Sequence, residues 1–195
     1  DHLGLERASI LGTSRGGLIA LTLGVSHADR LAGAILVDIG PRLDSEGLAQ
    51  IMEYLGSRPA FRSYAEAAEK LPAAMAPRFA NVPAATWRAY AERLWSEGQD
   101  GLDLRYDPAL RQAVLEASSP GAMPALWPLF DALAEKPLAL IRGANSDLLS
   151  EETAQEMRRR RPDMIFAEVP DRGHVPFLDE PDSVAAISAY LERVA

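Results

Sequence analysis

Residues 10–18, I-L-G-T-S-R-G-G-L, constrain this chain more than any other stretch. They contain G-x-S-x-G, with an apolar run before the pattern and a helical run after it. A serine at such a junction stands on a sharp strand-to-helix turn, and the turn forces its backbone into a strained region expected at φ > 0. The flanking positions then approach the neighbouring strand and helix closely. Gly12 and Gly16 are expected to supply that room, and Gly17 further space for helix-on-sheet packing. The helix opening at Arg15 aims its first N–H groups and the positive end of its dipole at the serine oxygen. The Arg15 N–H is therefore a candidate donor to an oxyanion. The bland alternative is a Gly-rich turn in which Ser14 is an ordinary helix N-cap.

The pattern alternates around this turn. Residues 7–12 (R-A-S-I-L-G) form a first strand and residues 15–25 a helix with a broad apolar face. Residues 31–38 (L-A-G-A-I-L-V-D) form a second strand. It is apolar almost throughout, as in a strand buried on both faces of a parallel sheet. The alternation resumes with a strand at 137–143, a helix at 151–161 with Ser150 as N-cap, a strand at 164–169 and an amphipathic helix at 181–194 with Pro181 at its first position. Such alternation implies an α/β fold built on a doubly wound, mostly parallel sheet.

Residues 42–128 differ. They are rich in Ala, Glu and Arg and broken by prolines at 59, 72, 77, 83, 108, 120 and 124. Short helices are expected near 44–56, 63–74, 83–97 and 108–117, with no strand. The stretch is too long for a plain connection, so it is expected to be an inserted helical lid, leaving 1–41 and 129–195 as the core. Trp87, Trp95 and Trp127 either line an acyl pocket beneath it or form its own core.

Composition limits the partners. The formal net charge of −8 argues against nucleic acid and anionic membranes. The single basic run, Arg158 to Arg161, ends a helix, where cations suit the dipole. With no cysteine and three histidines, the chain carries no thiolate site, and neither a metal nor an organic cofactor is expected. No run spans a bilayer and no signal peptide is visible, so the expected location is cytoplasmic.

Ligands of such sheets sit beyond the carboxyl ends of the strands. Ser14 follows the first strand, Asp147 the third and His174 the fourth. In that order they fit one of the convergent nucleophile–acid–base triads. Ser14 would attack, His174 would carry its proton, and Asp147 would orient the imidazole. Asp38, ending the second strand, is the competing acid. His27 closes a helix, where an imidazolium suits the dipole.

The motifs G-T-S-R-G-G at 12–17, D-I-G-P at 38–41, R-G-A-N-S-D-L-L at 142–149 and G-H-V-P-F-L-D-E-P at 173–181 resemble the α/β-hydrolase fold family over the whole chain. They are most similar to small bacterial serine esterases and lactonases. The resemblance implies Ser14 as nucleophile, Asp147 as acid, His174 as base and the Arg15 N–H as one oxyanion donor. It implies a small ester, thioester or lactone as substrate. A non-catalytic ligand receptor on the same fold, a cofactor-free haloperoxidase and a carbon–carbon bond hydrolase are the alternatives. Serine at the nucleophile position, where dehalogenases and epoxide hydrolases of similar fold carry Asp, argues for acyl transfer.

Family members carry several strands ahead of the elbow, roughly eighty to a hundred residues at usual element lengths. The sequence is therefore expected to be the C-terminal portion of a longer protein. The 7–12 strand would then show a bare apolar edge, which leaves room for a homo-oligomer. One absent oxyanion donor costs about 3 kcal/mol of transition-state stabilisation. The purified 195-residue piece is accordingly expected to be inactive in an esterase assay, and saturable turnover by it would overturn that expectation.

Overall fold

The computed structural model describes residues 2–117 and 125–195. Two compact units divide the chain, one comprising Asp1–Asp44 with Pro124–Ala195, the other Ser45–Met123. In chain order, β1 (Ala8–Thr13), α1 (Arg15–Ser26) and β2 (Leu31–Val37) open the first unit. The second holds α2 (Ser45–Tyr54), α3 (Tyr64–Met75), α4 (Ala84–Leu94), β3 (Trp95–Gly98), β4 (Gly101–Leu104) and α5 (Leu110–Ala117). The first unit resumes with α6 (Trp127–Asp131), β5 (Leu138–Gly143), α7 (Glu151–Arg160), β6 (Ile165–Val169) and α8 (Pro181–Val194). The expected prolines 120 and 124 lie outside the described residues. Residues 2 and 3 form a turn and Glu6 a bend before β1.

The first unit is built on a four-stranded sheet ordered β1-β2-β5-β6, with every pairing parallel. β5 is buried at every residue, and β2 at all but one, as their largely apolar sequences require, and the one charged residue of the two, Arg142, pairs with Glu168. Helices cover both faces. Ile35 and Val37 point to the side where Ala186 and Tyr190 of α8 complete a core with Ala139, Ile141 and Val169. Leu36 points the other way, towards α1, where a Cβ on Gly17 would stand 3.4 Å from it. Tyr190 donates to Ser9 Oγ at 2.9 Å, tying α8 to the far strand. Among the described residues β1 is an edge strand, and Leu11 on it is 44% exposed.

The register aligns the strand ends. Thr13 pairs with Val37, Val37 with Ile141, and Gly143 with Val169. Ser14, Asp38, the 143–149 turn and the 170–180 segment therefore all leave the sheet from one edge.

In the second unit, α3 packs on α4. Trp87 is buried there between edge-on contacts with Phe79 and Tyr90. The expectation of helices alone is corrected: α4 stops at Leu94, and Trp95–Gly98 pairs antiparallel with Gly101–Leu104. The reason lies in Gly98-Gln99-Asp100-Gly101. Gly101 takes φ +121°, and a Cβ there would meet the Phe61 carbonyl oxygen at 2.8 Å. A two-residue turn closes on this glycine, and buried Leu102 and the Phe61–Trp95 ring contact hold the hairpin. Trp127 belongs to the first unit, where the Arg160 guanidinium lies over its ring.

The basic run ending α7 is tied down rather than presented. Arg159 and Arg160 pair with Glu156, and Arg160 also with Asp131. Arg161 donates to the carbonyls of Leu133 and Lys136 and pairs with Asp163.

Between β6 and α8 the chain is held by one buried carboxylate. Glu180 accepts from the Phe177 and Leu178 N–H groups, the Ser183 hydroxyl and Arg172 Nε. Burial pushes its carboxyl up, but the Phe177 N–H, its own N–H, Ser183 and Arg172 together outweigh burial and hold it below the ordinary value of 4.5. A lowered folded value means that this stabilisation is complete above the unfolded value and is lost as pH falls through the folded one. Glu180→Gln should therefore cost about 2 kcal/mol at neutral pH and nothing in strong acid. Urea unfolding of both proteins between pH 7 and pH 2 checks this, and a constant difference across the range would refute it.

Candidate active site

Ser14 stands between β1 and α1 with φ 49° and ψ −119°. Its side chain makes no helix-capping hydrogen bond, which disposes of the N-cap alternative. The conformation is held from both sides. Ser14 N–H donates to the Val37 carbonyl at 3.0 Å, and the Gly17 N–H to the Ser14 carbonyl at 2.9 Å. Such a backbone costs about 1–3 kcal/mol and persists because its surroundings over-determine it.

The glycines work differently from the expectation. A Cβ on Gly12 would lie 2.5 Å from the backbone of Gly16 and Gly17, and one on Gly17 would lie 2.2 Å from Ile39 Cγ2. A Cβ on Gly16 would meet nothing within 4 Å. Close approach is required at Gly12 and Gly17, and Gly16 contributes its backbone rather than its missing side chain.

His174 joins the serine to an acid. Its Nε2 lies 3.0 Å from Ser14 Oγ, and its Nδ1 lies 2.7 Å from Asp38 Oδ2. A carboxylate at Nδ1 sets that nitrogen as the donor, leaving the Nε2 lone pair for the serine hydroxyl. Both ring nitrogens are thereby engaged, and the place expected for Asp147 is taken by Asp38. Asp147 is half-buried on the turn after β5. Asp38 directly follows β2, the strand lying between the serine's strand and that of Asp147. From there a one-carbon side chain spans the distance to the imidazole. On the β5 turn the preceding residue, Ser146, is the one that faces the pair.

Asp38 is wholly buried and takes φ 50°. Its Oδ1 accepts from the Gly143 N–H at 2.8 Å, and its Oδ2 accepts from Ser146 Oγ at 2.6 Å as well as from His174. These donors replace the water that burial removed. The signal for Asp38 was present in the sequence, since an acid ending an apolar strand buried on both faces needs partners at the strand edge.

Arg15 is the first residue of α1, so its N–H belongs to the helix's first turn beside Ser14, while its side chain is exposed. His27 closes α1 through its N–H to the Leu23 carbonyl. Among the described residues no group of three or more His, Asp or Glu side chains could hold a metal ion. No described helix is long and apolar enough to cross a membrane.

Comparison with known proteins places these features in a wider set. The profile of the alpha/beta hydrolase family matches residues 1–187. The 3-hydroxybutyrate-oligomer hydrolase of Cupriavidus necator is 35% identical over 192 residues, covering 94% of this chain and 64% of that protein. The chain thus spans just under two thirds of that relative's length. The pimeloyl-[acyl-carrier protein] methyl ester esterase of Aromatoleum aromaticum is 31% identical over 201 residues, covering 93% of this chain and 72% of that protein. The crystal structure of an alpha/beta hydrolase from Novosphingobium aromaticivorans superposes with a TM-score of 0.87 at 38% identity, covering 98% of this chain and 67% of that one. In sequence and in fold alike, this chain belongs to the alpha/beta hydrolase family.

Proposed function

We propose that the chain carries the reacting groups of a serine hydrolase that cleaves a small carboxylic ester, thioester or lactone through an acyl-enzyme. The observation that carries this reading is the continuous relay from Ser14 Oγ through His174 to Asp38, at 3.0 and 2.7 Å. Ser14 Oγ attacks the carbonyl carbon while His174 Nε2 takes its proton. The carbonyl oxygen gains negative charge, which the Arg15 N–H at the positive end of α1 is placed to stabilise. The intermediate collapses, the bond to the leaving oxygen or sulfur breaks, and His174 returns the proton to that atom. A water then gives its proton to His174, attacks the acyl carbon and releases the acid, restoring Ser14. Asp38 holds the Nδ1–H tautomer throughout and offsets the charge of the imidazolium.

The named relatives support an ester substrate. One acts on oligomers of 3-hydroxybutyrate, whose units are joined by ester bonds, and another on a methyl ester. A short oligomer of a 3-hydroxy acid is therefore the first substrate to test. The second unit begins seven residues after Asp38, counting from 38 to 45, and its insertion there supports a role as a lid that selects among substrates.

Full-length protein containing this chain should label at Ser14 with a fluorophosphonate, read by mass spectrometry, and Ser14→Ala should abolish both label and turnover. Labelling with no turnover on a panel of esters, thioesters and lactones would replace hydrolysis with ligand reception. Asp38→Asn should lower kcat by about 10⁴-fold, while Asp147→Asn leaves most activity. The reverse ranking in steady-state kinetics would return the acid's role to Asp147.

A further inference from the structure

We propose that Ser146 is the positioning residue of this site, a hydroxyl that fixes the Asp38 carboxylate against His174. The inference rests on the catalytic reading above. Ser146 Oγ accepts from the Leu149 N–H at 3.1 Å and the Leu148 N–H at 3.3 Å. A hydroxyl offers two lone pairs and one proton. With both lone pairs occupied by backbone donors, its proton is directed to Asp38 Oδ2, 2.6 Å away. The direction of this bond is thus set by the turn itself.

Oδ2 is also the oxygen that holds His174 Nδ1. Gly143 N–H holds the other oxygen, so the carboxylate is fixed at both ends by the strand and turn of β5. That turn is in turn joined to the histidine's segment. Asn145 N–H donates to the Arg172 carbonyl at 2.8 Å, and Ala144 N–H to the Val169 carbonyl at 2.9 Å. A Cβ on Gly143 would lie 2.5 Å from the carbonyl oxygens of Arg172 and Gly173, which shows how closely the two segments lie. Acid and base therefore share one frame, and Ser146 is its side-chain link. Without the hydroxyl, Oδ2 loses a charge-assisted bond, and rotation of the carboxylate would swing the imidazole off the line to Ser14. The effect falls on the chemical step rather than on substrate binding, because Ser146 acts through Asp38.

The test uses the full-length enzyme with Ser146→Ala and Ser146→Thr. Ser146→Ala should lower kcat by about tenfold with KM nearly unchanged. It should also move and broaden the low-field proton resonance of His174 Nδ1–H. Ser146→Thr, which keeps the hydroxyl, should restore both. If Ser146→Ala fails to fold by circular dichroism, Ser146→Cys preserves the shape, weakens the donor and carries the same readouts. Wild-type kcat with an unmoved resonance would overturn the proposal. So would a lowered kcat with an unmoved resonance, or a threonine variant as slow as the alanine one. Asp38→Asn run in parallel separates the two readings: if it retains full activity, the relay itself is wrong. If it is inactive while Ser146→Ala is unimpaired, only the role of Ser146 fails.

Discussion

A single carboxylate, that of Asp38, organises the working edge of this protein. It is wholly buried, so its charge depends on its donors: Gly143 N–H on one oxygen, Ser146 and His174 on the other. Burying an ion without such partners costs far more than a domain of this size can supply. The three donors come from the strand next to β2 and from the turns that follow β5 and β6. The acid therefore does more than orient an imidazole. It gathers three chain segments at the point where they leave the sheet, and the hydroxyl of Ser146 reports how closely that gathering is specified.

The sheet supplies the rigidity on which this depends. Parallel register brings Thr13, Val37, Ile141 and Val169 to one edge, so residues that directly follow each strand meet without long excursions. At the serine, close approach is extreme: Gly12 has no room for a Cβ against the backbone four to five residues on. Strain at Ser14 is stored there because neither strand nor helix can yield. The histidine's segment has a different support, the buried Glu180 with its ring of four donors. Ser14, Asp38 and His174 are thus each secured by a separate local device, and the sheet sets their mutual distances.

Most of the architecture was legible in the sequence. The apolar runs of β2 and of residues 138–141 in β5 announce strands buried on both faces, and Ser150 and Pro181 mark the starts of α7 and α8. The hairpin at Trp95–Leu104 was not legible. Its strands are four residues each, too short for alternation to emerge from the helical pattern before them, and its turn depends on a glycine crowded by the distant Phe61. Likewise Gly16 looked like the counterpart of Gly12, because spacing alone does not reveal which side of a turn is crowded.

For the site, the sequence by itself determined the serine and the histidine, since a G-x-S-x-G between strand and helix and a histidine beyond the last strand leave few other places for them. It also placed two acids, Asp38 and Asp147, at the same edge of the sheet. Only the tertiary structure decided between them. The choice depends on strand order, with β2 lying between β1 and β5, and on which residue of a short turn faces inward. Ser146 faces inward, and Asp147 follows it. A shift of one residue along a turn changes which side chain meets the site. That direction is set by backbone hydrogen bonds to segments distant in sequence, which residue types and spacings do not encode.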